Sequence, residues 1–246
     1  MDGAPTLYVA GDVHLGQMGN AFAQWLDWLS LRPAARLVIL GDLFDWWLDS
    51  DQAVARHAAL FERLRLLRAR GWRIDLVRGN RELAAGRRLE TAIGGIMHAR
   101  RLDITLGRCR LRIVHGDRLC HDPGYRAYVA IVESFPFAWY QRLHPMAMQE
   151  AVARGIRQRS ERRHHRPRPP TTGRPRVFID RRRVQAAGRG VDVVVAGHIH
   201  QSWRRRIGGV DLILVGDWPG SAGHWVEGFA DGRLERVRRE FADLAE

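Results

Sequence analysis

The sequence contains no lysine: its 40 basic residues are all arginine and stand against 27 acidic ones, for a formal net charge of +13. Schiff-base chemistry and the phosphate-binding lysine of P-loop enzymes are thereby excluded. Cysteine is scarce. Cys109 and Cys120 are the only two, too few for a disulfide framework or a four-thiolate zinc site, so a cytoplasmic setting is expected. No apolar run approaches the ~20 residues that a membrane-spanning helix needs. The opening MDGAPTLYVAGDVH lacks the basic-then-apolar order of a secretory leader, and none is expected. There is no internal repeat. Hydrophobic residues at 46% and charged residues at 27% over 246 positions describe a folded chain with a sizeable core, which excludes collagen-like and wholly disordered architectures.

The charge that is present is concentrated. Residues 154–183 hold twelve arginines against Glu161 and Asp180, a net +10 of the chain's +13. Pro167, Pro169, Pro170 and Pro175 lie among them and break helices, which predicts a basic loop at about 160–176. Such a block suits an anionic membrane surface, nucleic acid, a polyanionic substrate, or simply solvent. Residues 154–176 contain no Phe, Trp or Tyr to stack bases, which argues against nucleic acid.

Short apolar runs recur, each stopping abruptly at glycine or histidine followed by polar residues. They are residues 7–10 before Gly11-Asp12, 37–40 before Gly41-Asp42, 74–77 before Gly79-Asn80, 111–114 before His115-Gly116-Asp117, 191–196 before Gly197-His198, and 212–215 before Gly216-Asp217. Runs of this length and composition read as buried strands. Between them, 21–31 places Phe22, Trp25, Leu26 and Leu29 on one helical face. Residues 54–70 do the same with Leu60, Leu64 and Leu67 and stop at Gly71. Alternating strands and helices predict an α/β domain whose chemistry gathers at the carboxyl ends of the strands. Residues 118–190 interrupt the pattern. Tyr125, Val129 and Val132 share a stripe, Phe135, Phe137, Trp139 and Tyr140 follow, and 146–160 could form a second helix. We expect a single domain over 1–246 with a helical cap inserted at about 123–185.

The polar residues at the strand ends form a set: Asp12-x-His14, Asp42, Asn80, His115 and His198-x-His200. One Gly-Asp after a strand is an ordinary turn; five strand ends that each present a ligand-type residue are not. Oxygen and imidazole donors without sulfur suit Mn²⁺, Fe or Zn²⁺. Seven donors exceed what one ion needs and suit two ions sharing a carboxylate, an arrangement that serves phosphate ester or anhydride hydrolysis.

The order Gly11-Asp12-Val13-His14, Gly41-Asp42, Gly79-Asn80, His115-Gly116 and Gly197-His198-Ile199-His200 resembles the calcineurin-like metallophosphoesterase family. The resemblance implies an α/β fold: a β-sandwich of two mixed sheets flanked by helices, with the helical insertion over the active site. It implies one ion held by Asp12, His14, Asp42 and His200 and a second by Asp42, Asn80, His115 and His198, with Mn²⁺ expected and Fe or Zn²⁺ as alternatives. Most of the family places His after the Asn, whereas this chain reads Gly79-Asn80-Arg81-Glu82. Arginine cannot serve as a general acid at neutral pH but can clamp a phosphate through two hydrogen bonds. A Gly-Asn-Arg-Asp variant typifies the UDP-2,3-diacylglucosamine pyrophosphatase branch, and Glu82 stands where that branch has Asp. The stretches 41–47 and 115–125 also resemble that branch. The implied reaction is hydrolysis of UDP-2,3-diacylglucosamine to UMP and 2,3-diacylglucosamine 1-phosphate. Asp42, Asn80 and Arg81 would act in catalysis, and Arg81, Asp122 and Tyr125 would contact substrate. A metal-dependent phosphodiesterase or protein phosphatase is the alternative. The implied location is cytoplasmic and peripheral on the inner membrane, with a nucleotide-linked or lipid-linked substrate and no protein partner.

Of the remaining histidines, 57, 98, 144, 164, 165 and 224 are expected at the surface or in packing, whereas His121, close behind His115, fits packing and the site equally. The two cysteines are expected to pack as small hydrophobes. Asp45 is expected behind a ligand or in a solvated turn. Most of the nine Trp belong to the core, Trp46 and Trp47 being placed where they could instead line a cleft.

Overall fold

The computed structural model describes residues 3–15, 21–82, 85–121 and 178–241. The chain divides into two compact units, one of residues 1–120 and 179–246, the other of 121–178. Asp122, Tyr125, the expected cap helices and the 160–176 loop lie outside the described residues.

The first unit is a sandwich of two mixed sheets. Strands β1 (Leu7–Ala10), β2 (Arg36–Ile39), β3 (Arg73–Val77) and β4 (Ile96–His98) run parallel. Beyond β1, β12 (Ala222–Gly228) and β13 (Leu234–Glu240) complete a six-stranded sheet in antiparallel pairing. In the second sheet, β6 (Cys109–Val114), β9 (Val193–Ala196) and β11 (Val210–Val215) run parallel. They are flanked by antiparallel β5 (Arg101–Leu106) and β10 (Ser202–Ile207). Strands β7 (Cys120–His121) and β8 (Phe178–Ile179) form a separate two-stranded sheet.

Burial explains why most parallel strands read as apolar runs, interrupted only by charged residues such as Asp75 in β3 and Arg112 in β6. Leu7 and Val9 face the other sheet, packing with Val38, Leu40, Ile113, Val195 and Ile213. Their neighbours Tyr8 and Ala10 face the helices, α1 (Ala21–Ser30), α3 (Ala58–Ala69) and α4 (Arg87–Ile93), through Trp25, Leu64 and Leu89. In the second sheet Val193 and Val195 point inward, while Val194 and Ala196 pack outward on Val184 of α5 (Arg181–Ala187). With both faces covered, alternate residues no longer need to be polar. Each fully buried aliphatic side chain contributes roughly 1.5–3 kcal/mol.

The helix expected over 54–70 is divided. Helix α2 (Asp51–Arg56) is capped by Ser50, which accepts from the Ala53 amide, and the chain leaves helical geometry at His57 (φ −109°, ψ 23°) before α3 begins. The His57 ring packs on Phe44 at 4.6 Å, and this aromatic contact accompanies the break. Gly71 follows α3 with φ +90°, a conformation that suits glycine best. No helix among the described residues is long and apolar enough to cross a membrane.

Candidate metal centre

Six strands, β1, β2, β3, β6, β9 and β11, each end in a turn that carries polar residues to one end of the sandwich. The turns approach closely because glycine lets them. Gly41 has φ +88°, and a Cβ there would collide with the Gly79 backbone and the His115 ring. Among the described residues, the non-glycine positions with positive φ are Asp12, His14, Asp42, His198 and His200. All five are candidate ligands. Such strain, on the order of 1–3 kcal/mol per residue, persists where the surrounding structure enforces it, commonly at functional sites.

The side chains meet in two groups. Asp12, His14 and His200 form one, here called the outer triad; Asp42, His115 and His198 form the deep triad; within each, candidate donor atoms lie within 4.8 Å of one another. Asn80 joins the deep triad, its Oδ1 lying 2.8 Å from His115 Nε2 and 2.9 Å from His198 Nδ1. In the outer triad, His14 Nε2 and His200 Nε2 face each other at 3.3 Å. Asp42 lies between the groups, with Oδ1 3.5 Å from His115 Nε2 and Oδ2 4.0 Å from His14 Nε2. All seven expected ligands are therefore brought together.

The contacts favour cations. The buried Asp12 Oδ1 has no hydrogen-bond partner, whereas Oδ2 accepts from the His198 amide at 2.6 Å. His115 Nδ1 lies 2.9 Å from the Leu40 carbonyl, which can only accept, so this nitrogen donates. In a neutral imidazole the other nitrogen then presents a lone pair to Asn80 and Asp42, a contact that positive charge would resolve. Titration agrees. Burial pushes His115 down, but the carboxylates of Asp42 and Asp12 outweigh it and lift its pKa to about 9. Burial pushes Asp12 up to about 7. Burial lowers His14 and His198 to about 4, which keeps both neutral and able to act as ligands at pH 7. For Asp42, burial is overcome by His115, His14, His198 and Arg81, and its carboxyl stays below the usual range.

Supporting residues surround the set. Arg81 donates its backbone N–H to Asp42 Oδ1 at 2.9 Å, and its guanidinium Nε stands 3.8 Å from Oδ2. Asp45 Oδ1 is 4.0 Å from His14 Nδ1, behind a ligand as expected. Trp47 is fully buried against Phe44 and Phe61, so it belongs to the core and not to a cleft. His57 and His98 are packing residues, the latter 2.6 Å from Asp75. His224 contacts the Asp217 carbonyl at 2.8 Å. Cys120 is buried and Cys109 half-buried.

Two residues take roles that the sequence reading did not assign them. Glu82, fully buried, accepts from the Asp42 and Gly79 amides through Oε2 at 2.9 and 3.1 Å, and from Phe44 through Oε1 at 3.1 Å. It staples the turn after β2 to the turn after β3; burial and the nearby Asp42 push its carboxyl up to about 7. Its signal was its place two residues after Asn80. Asp217 Oδ2 lies 3.3 Å from His200 Nδ1, and its signal was the same Gly-Asp ending carried by two ligand turns.

Several known proteins are similar to this chain. UDP-2,3-diacylglucosamine hydrolase of Haemophilus influenzae is 28% identical over 221 residues, covering 86% of this chain and 90% of its own. The Neisseria meningitidis protein of the same name is 26% identical over 216 residues, covering 86% and 89%. Among solved structures, an archaeal phosphodiesterase aligns with 95% of this chain and 99% of its own at 10% identity and a TM-score of 0.47. Residues 5–202 match the calcineurin-like phosphoesterase family. With that match spanning the strand-end turns that carry the seven ligand-type residues, the chain belongs to the calcineurin-like phosphoesterase family and is a metal-dependent phosphohydrolase.

Proposed function

We propose that the chain hydrolyses the phosphoanhydride of UDP-2,3-diacylglucosamine, releasing UMP and 2,3-diacylglucosamine 1-phosphate. The observation that carries the reading is Asp42, whose two carboxylate oxygens face opposite triads at 3.5 and 4.0 Å. The outer ion would take Asp12, His14, Asp42 and His200; the deep ion would take Asp42, Asn80, His115 and His198. Mn²⁺ suits this oxygen and imidazole set. Two such ions, when bound, supply Lewis-acid stabilisation of phosphoryl oxygens and a nucleophile at neutral pH.

The chain's own residues do the rest. Neutral His14 and His198 offer lone pairs without a proton to displace. Glu82 keeps Asp42 and Asn80 in register by holding their turns together. Arg81, its side chain 28% exposed beside Asp42, is placed to grip a phosphate oxygen and to stabilise charge that develops there. The substrate itself is supported by the names of the relatives and by Arg81 in the position where most of the family has His. Asp122 and Tyr125 are proposed substrate contacts. The arginines of 154–183 are proposed to hold the protein at an anionic membrane surface, each contributing roughly 1 kcal/mol.

The test is UMP release from UDP-2,3-diacylglucosamine by the purified chain with Mn²⁺. We expect metal-dependent release that Asp42→Ala abolishes. Hydrolysis of bis(p-nitrophenyl) phosphate without UMP release would keep the phosphoesterase and overturn the substrate. Anionic vesicles should co-sediment the protein at low salt and release it at high salt; equal binding to neutral vesicles would overturn the membrane role.

A further inference from the structure

The turn Gly216-Asp217-Trp218 follows β11 as the ligand turns follow the other five strands, yet none of its side chains belongs to either triad. Its contacts nevertheless run to the outer one. Asp217 Oδ2 lies 3.3 Å from His200 Nδ1. Trp218, buried, donates its indole N–H to the carbonyl of Gly11 at 3.1 Å, the residue before Asp12. The turn is braced from behind by His224, which donates Nδ1–H to the Asp217 carbonyl at 2.8 Å. Gly216 has φ +92°, and a Cβ there would press on Ser202 and His224.

We propose that Asp217 is a positioning residue that fixes His200 with its proton on Nδ1 and its lone pair on Nε2, and so governs the affinity of the outer ion alone. The inference rests on the two-ion reading given above. The chemistry is that of a carboxylate–imidazole pair. A carboxylate accepts, so the facing Nδ1 must donate, and a neutral ring then carries a bare Nε2. That nitrogen is the one 3.3 Å from His14 Nε2. The His200 side chain is 41% exposed and its ring stacks on that of His14 at 5.0 Å, so the Asp217 carboxylate is the contact that sets which nitrogen carries the proton. His115 in the deep triad obtains the same service from a backbone carbonyl, which no substitution at 217 would remove.

The test uses the full chain and two variants, Asp217→Ala and Asp217→Asn, the second retaining an acceptor oxygen. Mn²⁺ titration by calorimetry should give two sites in the wild type. Asp217→Ala should weaken one of them by about 10–100-fold and leave the other unchanged, the range seen when a ligand's hydrogen-bond partner is lost. Asp217→Asn should recover most of that loss. Imidazole ¹⁵N spectra of the metal-free protein should show His200 protonated on Nδ1 in the wild type and a mixture of tautomers in Asp217→Ala. Unchanged affinity and tautomer in a folded Asp217→Ala would overturn the inference while leaving the two-ion reading intact. Equal weakening of both ions would overturn it as well. A wild type that binds no ion would overturn the two-ion reading, and the affinity claim with it, whereas the spectra would still decide the tautomer.

Discussion

In the deep triad His115 is 1% exposed and held by the Leu40 carbonyl, and Glu82 clips the turns that carry Asp42 and Asn80. In the outer triad His200 stands with 41% of its side chain exposed and is held by a carboxylate from a sixth turn. The residue types are nearly the same, but His115 is oriented by a buried backbone carbonyl and His200 by a side chain near solvent. A backbone partner comes with the fold, whereas a side-chain partner can be changed without rebuilding it. The outer ion should therefore exchange faster and vary more with sequence than the deep one.

The sharpest way to break this contrast is the residue common to both halves. Asp42→Ala should cost at least about 10³-fold in turnover and weaken both ions, more than the loss of any ligand that serves one ion. Loss of one ion only, seen by elemental analysis, would mean that the carboxylate is not shared. Next in size, Arg81→Ala should lower turnover by about 10²–10³-fold with metal content unchanged, as losing one transition-state donor does elsewhere; loss of metal would place Arg81 among the residues that hold Asp42. Glu82→Ala should act on the fold and the deep triad together. Three amides buried beside it lose their acceptor, so urea unfolding should show a loss of roughly 3 kcal/mol, with the deep ion weakened more than the outer.

A smaller effect serves as a control away from both triads. Burial pushes the Asp75 carboxyl up, but hydrogen bonds from Arg36 and His98 and the charge of Arg73 outweigh it and hold its pKa below the usual 3.8. A carboxyl lowered on folding stabilises fully above its unfolded value and loses that contribution as pH falls through the folded one. The stability gap between wild type and Asp75→Asn should thus be open at pH 7 and close below about pH 4, with metal affinity unchanged. A gap that persists undiminished at acid pH would show that shape, and not charge, makes Asp75 matter.

How much of this was legible in the sequence follows from burial. Strands β1, β2, β3, β6, β9 and β11 are largely covered on both faces, so each contains a dense apolar run that stops at its turn. The antiparallel strands at the sheet edges carry a different record. Strand β10 reads Ser-Trp-Arg-Arg-Arg-Ile with its three arginines exposed, and β13 buries Leu234 while exposing Arg236, Arg238 and Arg239. With one face in solvent and an arginine-rich composition, they look like loops. The ligands were legible because glycine and a short polar residue recur at strand ends. The role of Asp217 was not legible because a Gly-Asp after a strand is also an ordinary turn, and that of Glu82 because its work is done through backbone amides, which leave no pattern in sequence. The break at His57 coincides with an aromatic contact to Phe44 that periodicity cannot show.

The central claim is that two ions share Asp42 between two triads. Anomalous diffraction from crystals grown with Mn²⁺ tests it most directly. The account predicts two peaks, one among Asp12, His14, His200 and Asp42 Oδ2, the other among Asn80, His115, His198 and Asp42 Oδ1. A single peak, or a second one that does not touch Asp42, would contradict it.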